Sequence, residues 1–161
     1  MQIQINEKKQ RQISLSLLKQ KKYLEALERY KAFLSQNPEK LANILIELYK
    51  ELYFKQNNLN IKLIITELYI KFNYFDDALI ECEEMIEENA SFSQTYYLLS
   101  KLYKKNKDST QSIQNLFENS FNMGIHDSII IDLLPKIYLD NNKIHECILF
   151  FEKLTRENKT L

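Results

Sequence analysis

Glycine and proline are almost missing, with one Gly and two Pro in 161 residues. Tight hairpins and strand-to-strand turns depend on those residues for positive or preset φ, so a turn-rich β fold is excluded. Tryptophan is absent, and only two cysteines occur. Cys82 and Cys147 lie far apart, in no CxxC pair and with no metal-like cluster about them, so they read as reduced core thiols. No charge excess exists either: Lys plus Arg and Asp plus Glu both number 22. Phosphate neutralisation supplies most of the affinity of a nucleic-acid binder, and this balance argues against such a partner. No stretch approaches the roughly 18 uncharged apolar residues of a membrane span, and Met1–Gln20 lacks a signal-peptide core. Neither membrane insertion nor secretion is expected, and the chain reads as cytoplasmic.

What is abundant is Leu, Ile, Lys, Glu and Gln, all but Ile good helix formers. Apolar residues recur at steps of three and four nearly throughout. Short polar gaps interrupt them near Gln20–Lys22, Asn37–Glu39, Asn57–Asn60, Asn73–Tyr74, Asn89–Ser91, Asn106–Ser109, Met123–Asp127 and Asn141–Lys143. Asparagine takes over glycine's task there, because it tolerates the left-handed conformation at helix ends. The pattern predicts an all-α chain, a single domain over 1–161, with about nine helices joined by short loops.

An internal ruler runs through these helices. Its marks are the small residues Ala26, Ala78, Ser112 and Cys147. Nine residues before each stand Leu17, Tyr69, Tyr103 and Tyr138. Four before those stand Ile13, Ile65, Leu99 and Leu134. Four after the small residues come Tyr30, Cys82, Leu116 and Phe151. Two helices cross closely only where one offers a small side chain, and a bulky residue a turn away fills the groove alongside. The small residues are therefore expected at crossings within hairpins, and the tyrosines between successive hairpins.

The spacing, with Leu-small in the first helix, a small residue then a bulky one in the second, and Pro38 closing the first copy, resembles the tetratricopeptide repeat of about 34 residues. Copies cover about 7–40, 59–92, 93–126 and 127–161. The resemblance is divergent. Gln10, Lys62, Tyr96 and Ile131 stand where the family has tryptophan, and Pro38 is the only closing proline. Between Ala26 and Ala78 the period overruns by 18 residues. The surplus falls on an extra, out-of-phase helix at about 41–58, "LANILIELYKELYFKQNN", whose apolar stripe is too wide for one surface face. Burial between repeats is the expected fate of that helix. The other reading makes Ile44, Leu48, Tyr49, Leu52 and Tyr53 a self-association surface of a homodimer or larger assembly. Pro135 predicts a kink, or a helix that starts only at Leu133–Leu134, since an interior proline costs about 3 kcal/mol. The closing residues "TRENKTL" carry no dedicated polar capping helix, as expected of a longer natural chain.

Candidate chemistry is thin. The carboxylate pairs Asp76–Asp77, Glu83–Glu84 and Glu87–Glu88 fall at a helix start or on outward faces. His145 and Cys147 are two residues apart and diverge on a helix. A single Gly124 makes no phosphate loop. No enzyme and no cofactor or metal is expected. The resemblance instead implies an α-solenoid whose first helices line a concave surface that holds a peptide or helix of a partner protein. By register, that surface comprises Leu63, Glu67, Ile70 and Lys71; Tyr97, Lys101, Lys104 and Lys105; and Asp132, Lys136 and Leu139. The central set is basic and carries an aromatic, which suits an acidic or C-terminal segment. Family members that clamp a terminal carboxylate use an asparagine where this chain has Glu67, so that activity is not carried over. Single-stranded RNA, read one base per repeat, is a remoter alternative that Glu67 and Asp132 oppose.

Overall fold

A computed structural model of the chain describes residues 56–158, together with Gln12, Ile13, Ser16, Gln20, Ile46, Tyr49, Lys50, Tyr53 and Phe54. Six α-helices follow one another in it: α1 Leu59–Lys71, α2 Phe75–Glu88, α3 Ser93–Lys105, α4 Thr110–Asn122, α5 Ser128–Asp140 and α6 Ile144–Asn158. A single 3-10 turn, Lys107–Ser109, precedes α4, and no strand occurs among the described residues. The fold is all-α. The first three of the nine expected helices, and with them the ruler marks Leu17, Ala26, Tyr30 and Pro38, lie outside the continuously described stretch. The chain divides into two compact units, Met1–Ala78 and Leu79–Leu161.

Asparagine ends the helices as the sequence suggests. Asn57, Asn73 and Asn142 hold φ of 44°, 64° and 58°, and Gly124 holds 84°. Two of these turns are the same motif. After α1 the Tyr74 N–H bonds back to the Tyr69 carbonyl at 2.9 Å, and after α5 the Lys143 N–H bonds back to the Tyr138 carbonyl at 2.8 Å. Each closes the six-to-one ring of a helix C-cap around a left-handed asparagine. Helix starts are capped as well. The side chain of Asn58 accepts from the Asn60 N–H, and that of Asp127 from the Ile129 N–H at 2.8 Å.

In the first unit, α1 is buried nearly all round, through Ile61, Ile64, Ile65, Leu68, Tyr69 and Ile70. Lys62 is only 3% exposed and lays its ammonium 4.7 Å from the centre of the Tyr53 ring. Of the extra helix, Ile46 and Tyr49 are buried, Lys50 and Tyr53 are half-buried, and Phe54 is 85% exposed. Ala78 is fully buried, as a crossing residue must be.

The second unit stacks two hairpins, α3–α4 and α5–α6. Ser93 at the start of α3 donates its hydroxyl to Asp127 at the start of α5. Tyr103 near the end of α3 donates to Asp140 at the end of α5, at 2.6 Å. The two helices therefore run parallel, pinned at both ends. The second helices are tied likewise: Lys143 donates to Gln114 at 3.0 Å, and Lys153 to Asn122 at 2.7 Å. Between these ties Glu118 accepts from Gln114 at 2.7 Å and from the Tyr138 hydroxyl at 2.8 Å. Phe121 and Phe150 pack with ring centres 4.6 Å apart. At the crossing of α5 and α6 the small Cys147 brings its thiol 3.9 Å from the Pro135 carbonyl. The tyrosines at the ruler's marks, Tyr69, Tyr103 and Tyr138, are all buried.

Three details correct the sequence reading. The helix around Pro135 does not begin at Leu133–Leu134 but at Ser128, because the Asp127 cap and the buried Ile130, Leu133 and Leu134 hold its first turns in place. Ser112 is only half-buried while Ile113 beside it is fully buried. Ala78 thus corresponds to Ile113, an interval of 35 residues, and Ile113 to Cys147, an interval of 34. The odd residue enters between Tyr103 and Ile113, where the 3-10 turn replaces the left-handed asparagine of the other two hairpins. The Asp108 N–H of that turn is met by the Asn106 side chain, which accepts from it. The third correction is Phe151, which stands in the bulky register but is 48% exposed, whereas its counterpart Phe117 is fully buried.

Two measurements check this packing. Asn142→Ala should lower unfolding free energy in urea by about 1 kcal/mol, since a Cβ without a local hydrogen-bonding group disfavours the left-handed region. Asn142→Gly should stay within about 0.5 kcal/mol of the parent. The tyrosines provide the second test. Burial, reinforced by the hydrogen bond to Asp140, pushes the Tyr103 phenol from its ordinary 10.0 up to about 12. Burial and the hydrogen bond to Glu118 raise Tyr138 as well. The unfolded chain then gives up these protons first as pH rises. The stability they contribute is complete below pH 10.0 and is lost on the way to about 12 for Tyr103. Denaturation across that range should show the fall, and Tyr103→Phe should make it shallower.

Candidate functional site

Because α3 and α5 lie side by side, their outward residues form one face within the second unit. On α3 these are Tyr97, Lys101 and Lys104, spaced four and three apart along one helical stripe. On α5 they are Asp132, Lys136 and Leu139, at the same spacing and offset by 35 residues. Tyr97 is 51% and Leu139 54% exposed, and Lys104, Lys105, Asp132 and Lys136 are exposed as well. Lys101 is half-buried and sets its ammonium 4.4 Å from the centre of the Tyr97 ring. That contact flattens the lysine stem along the aromatic and keeps the charge at the surface. Four lysines against one aspartate make the face basic in a chain with no net charge.

The candidates of the first unit are placed differently. Leu63, Glu67 and Lys71 are half-buried. Ile70, expected to face a groove, is instead only 4% exposed and belongs to the core. Its helix is covered on nearly every side, so the groove position by register is not a groove position in space. Of the proposed self-association residues, Tyr49 is fully buried and Tyr53 half-buried, while Ile44, Leu48 and Leu52 lie outside the described residues.

No catalytic centre converges in the described residues. The thiol of Cys82 is buried, and its pKa is pushed up by that burial, then by the neighbouring Glu81 and Glu83 carboxylates, which disfavours the nucleophilic thiolate. Cys147 is buried while His145, two residues earlier, is exposed. Asp76, Asp77, Glu83, Glu84, Glu87 and Glu88 are all exposed. Among the described residues no cluster of His, Cys, Asp and Glu could hold a metal ion, and no described helix is long and apolar enough to cross a membrane.

Sequence reasoning missed the polar chain through Lys143, Gln114, Glu118 and Tyr138, which joins the two hairpins. Its signal was available in part: Tyr138 was marked as a residue between hairpins, and such a buried hydroxyl requires an acceptor nearby.

Compared with models of known protein families the chain matches none, and a comparison with curated proteins also finds no match.

Proposed function

We propose that the chain is a non-enzymatic interaction module, an α-solenoid of tetratricopeptide type, that receives an acidic segment of a partner protein along the face of α3 and α5. The observation that carries this reading is the pinned parallel pair, α3 and α5, displaying Tyr97, Lys101, Lys104, Lys136 and Leu139 on one side. Two parallel helices leave a shallow trough between them, and a peptide or helix can lie along it. Tyr97 and Leu139 offer apolar contact for one or two anchoring side chains. The lysines select negative charge and speed encounter, more than they add affinity. Asp132 disfavours a continuous polyanion, which argues for a peptide rather than RNA. The free, buried state of Cys82 and Cys147 suits a reducing compartment, so the cytoplasm is the proposed location.

The test uses a labelled glutamate-rich amphipathic helix with leucines along one face, read by fluorescence anisotropy against the full chain. The double variant Lys101→Glu, Lys104→Glu should weaken binding at least about tenfold. Glu83→Gln, on an exposed part of α2, should leave it unchanged. Equal binding by the parent and the double variant would remove the face from consideration. A salt-sensitive shift of single-stranded RNA in place of the peptide would favour the RNA alternative.

A further inference from the structure

The two stripes of the α3–α5 face stand in register because the helices are tied at their starts. Counted from the tie of Ser93 to Asp127, Tyr97 lies four residues along α3 and Asp132 five along α5. At about 1.5 Å per residue the two are at nearly one height. Lys101 and Lys136 form the next layer about 6 Å on, and Lys104 and Leu139 a third about 4.5 Å beyond. The tie of Tyr103 to Asp140 keeps this pairing to the far end.

The layers differ in sign. The first holds the one aspartate of the face, the second two lysines, and the third Lys104 with Lys105 next to it. Asp132 is exposed, and among the described residues no ion pair joins its carboxylate to Lys101 or Lys136. Lys136 stands one turn further along α5, within pairing reach. Lys101 is drawn back over the Tyr97 ring, its ammonium 4.4 Å from the centre. The carboxylates at either end of α5 are engaged, Asp127 by the Ser93 hydroxyl and the Ile129 N–H, and Asp140 by the Tyr103 hydroxyl. The face is thus a basic strip with one unmatched negative charge in its first layer.

Negative, positive, positive, at steps of four and three residues, is matched by a helix that carries the opposite signs at the same steps. We propose that Asp132 determines the specificity of this face, and that the segment received there is bipolar. It sets an arginine at Asp132, and carboxylates four and seven residues away at Lys136 and Lys104. A guanidinium meets a carboxylate through two parallel N–H donors, which fixes which end of the segment lies in the first layer. An all-acidic segment places like charge on Asp132 and is disfavoured. The proposal rests on the reading of α3 and α5 as a docking face, and adds what the partner must carry.

Two labelled helical peptides test it, read by fluorescence anisotropy against the full chain. Both carry leucines along one side and glutamates four and seven residues after a variable position, which is arginine in one and glutamate in the other. The arginine peptide should bind at least about threefold tighter. Asp132→Lys should reverse the order, whereas Glu83→Lys, the same change of charge on an exposed part of α2, should not. A photo-crosslinking residue next to the arginine should label α5 near Asp132 and not near Leu139. The double variant Lys101→Glu, Lys104→Glu should weaken both peptides. Equal binding of the two peptides, with that double variant weakening both, overturns the role of Asp132 and leaves the face standing. An arginine preference that survives Asp132→Lys does the same, as does crosslinking at the Leu139 end. If neither peptide binds, the face itself is lost and the proposal falls with it.

Discussion

Everything distinctive in the second unit depends on α3 and α5 being held parallel at both ends. Ser93 reaches Asp127 at one end, and Tyr103 reaches Asp140 at the other. A single tie would fix a distance but not a direction; two ties about a helix length apart fix both. The same logic governs the second helices, through Lys143 and Lys153. Two of these bonds are exposed and two part-buried, and each is worth no more than about 1 kcal/mol net. Polar bonds thus select one stacking of hairpins, and apolar contacts such as Phe121 on Phe150 provide the bulk of the cohesion.

How legible this was depends on the residue. The helices, their asparagine ends and the buried tyrosines could be read because each follows from a local rule: period, left-handed tolerance, bulk at a groove. The burial of Lys62 was not legible, since a lysine in a helical pattern reads as an outward residue unless an aromatic ring is known to receive its ammonium. The one-residue slip was not legible. Ser112 is small and Ile113 is not, and a rule based on size chooses the wrong one. Only burial reveals that the 3-10 turn at Lys107–Ser109 has rotated the next helix by one position. Ile70 failed for a related reason. Register tells which side of a helix a residue occupies, but not whether another element covers that side.

The candidate face was legible in its residues and not in its character. Spacing alone grouped Tyr97, Lys101 and Lys104, and grouped Asp132, Lys136 and Leu139. Their union into one basic surface follows from the long-range ties between α3 and α5, whose partners are 34 and 37 residues apart. The exposure of Phe151 was invisible from sequence for the opposite reason. Phe151 stands at a mark of the ruler, and nothing in the ruler says whether that mark is covered.

The asparagines at helix ends act on more than the folded form. A glycine there would adopt the left-handed conformation with less strain, yet it would also wander more widely in the unfolded chain. By closing its hairpins with Asn73 and Asn142, this chain accepts a little native strain and narrows the ensemble from which it folds. A protein with a single glycine therefore begins its search for structure from a stiffer polymer than most helical proteins do.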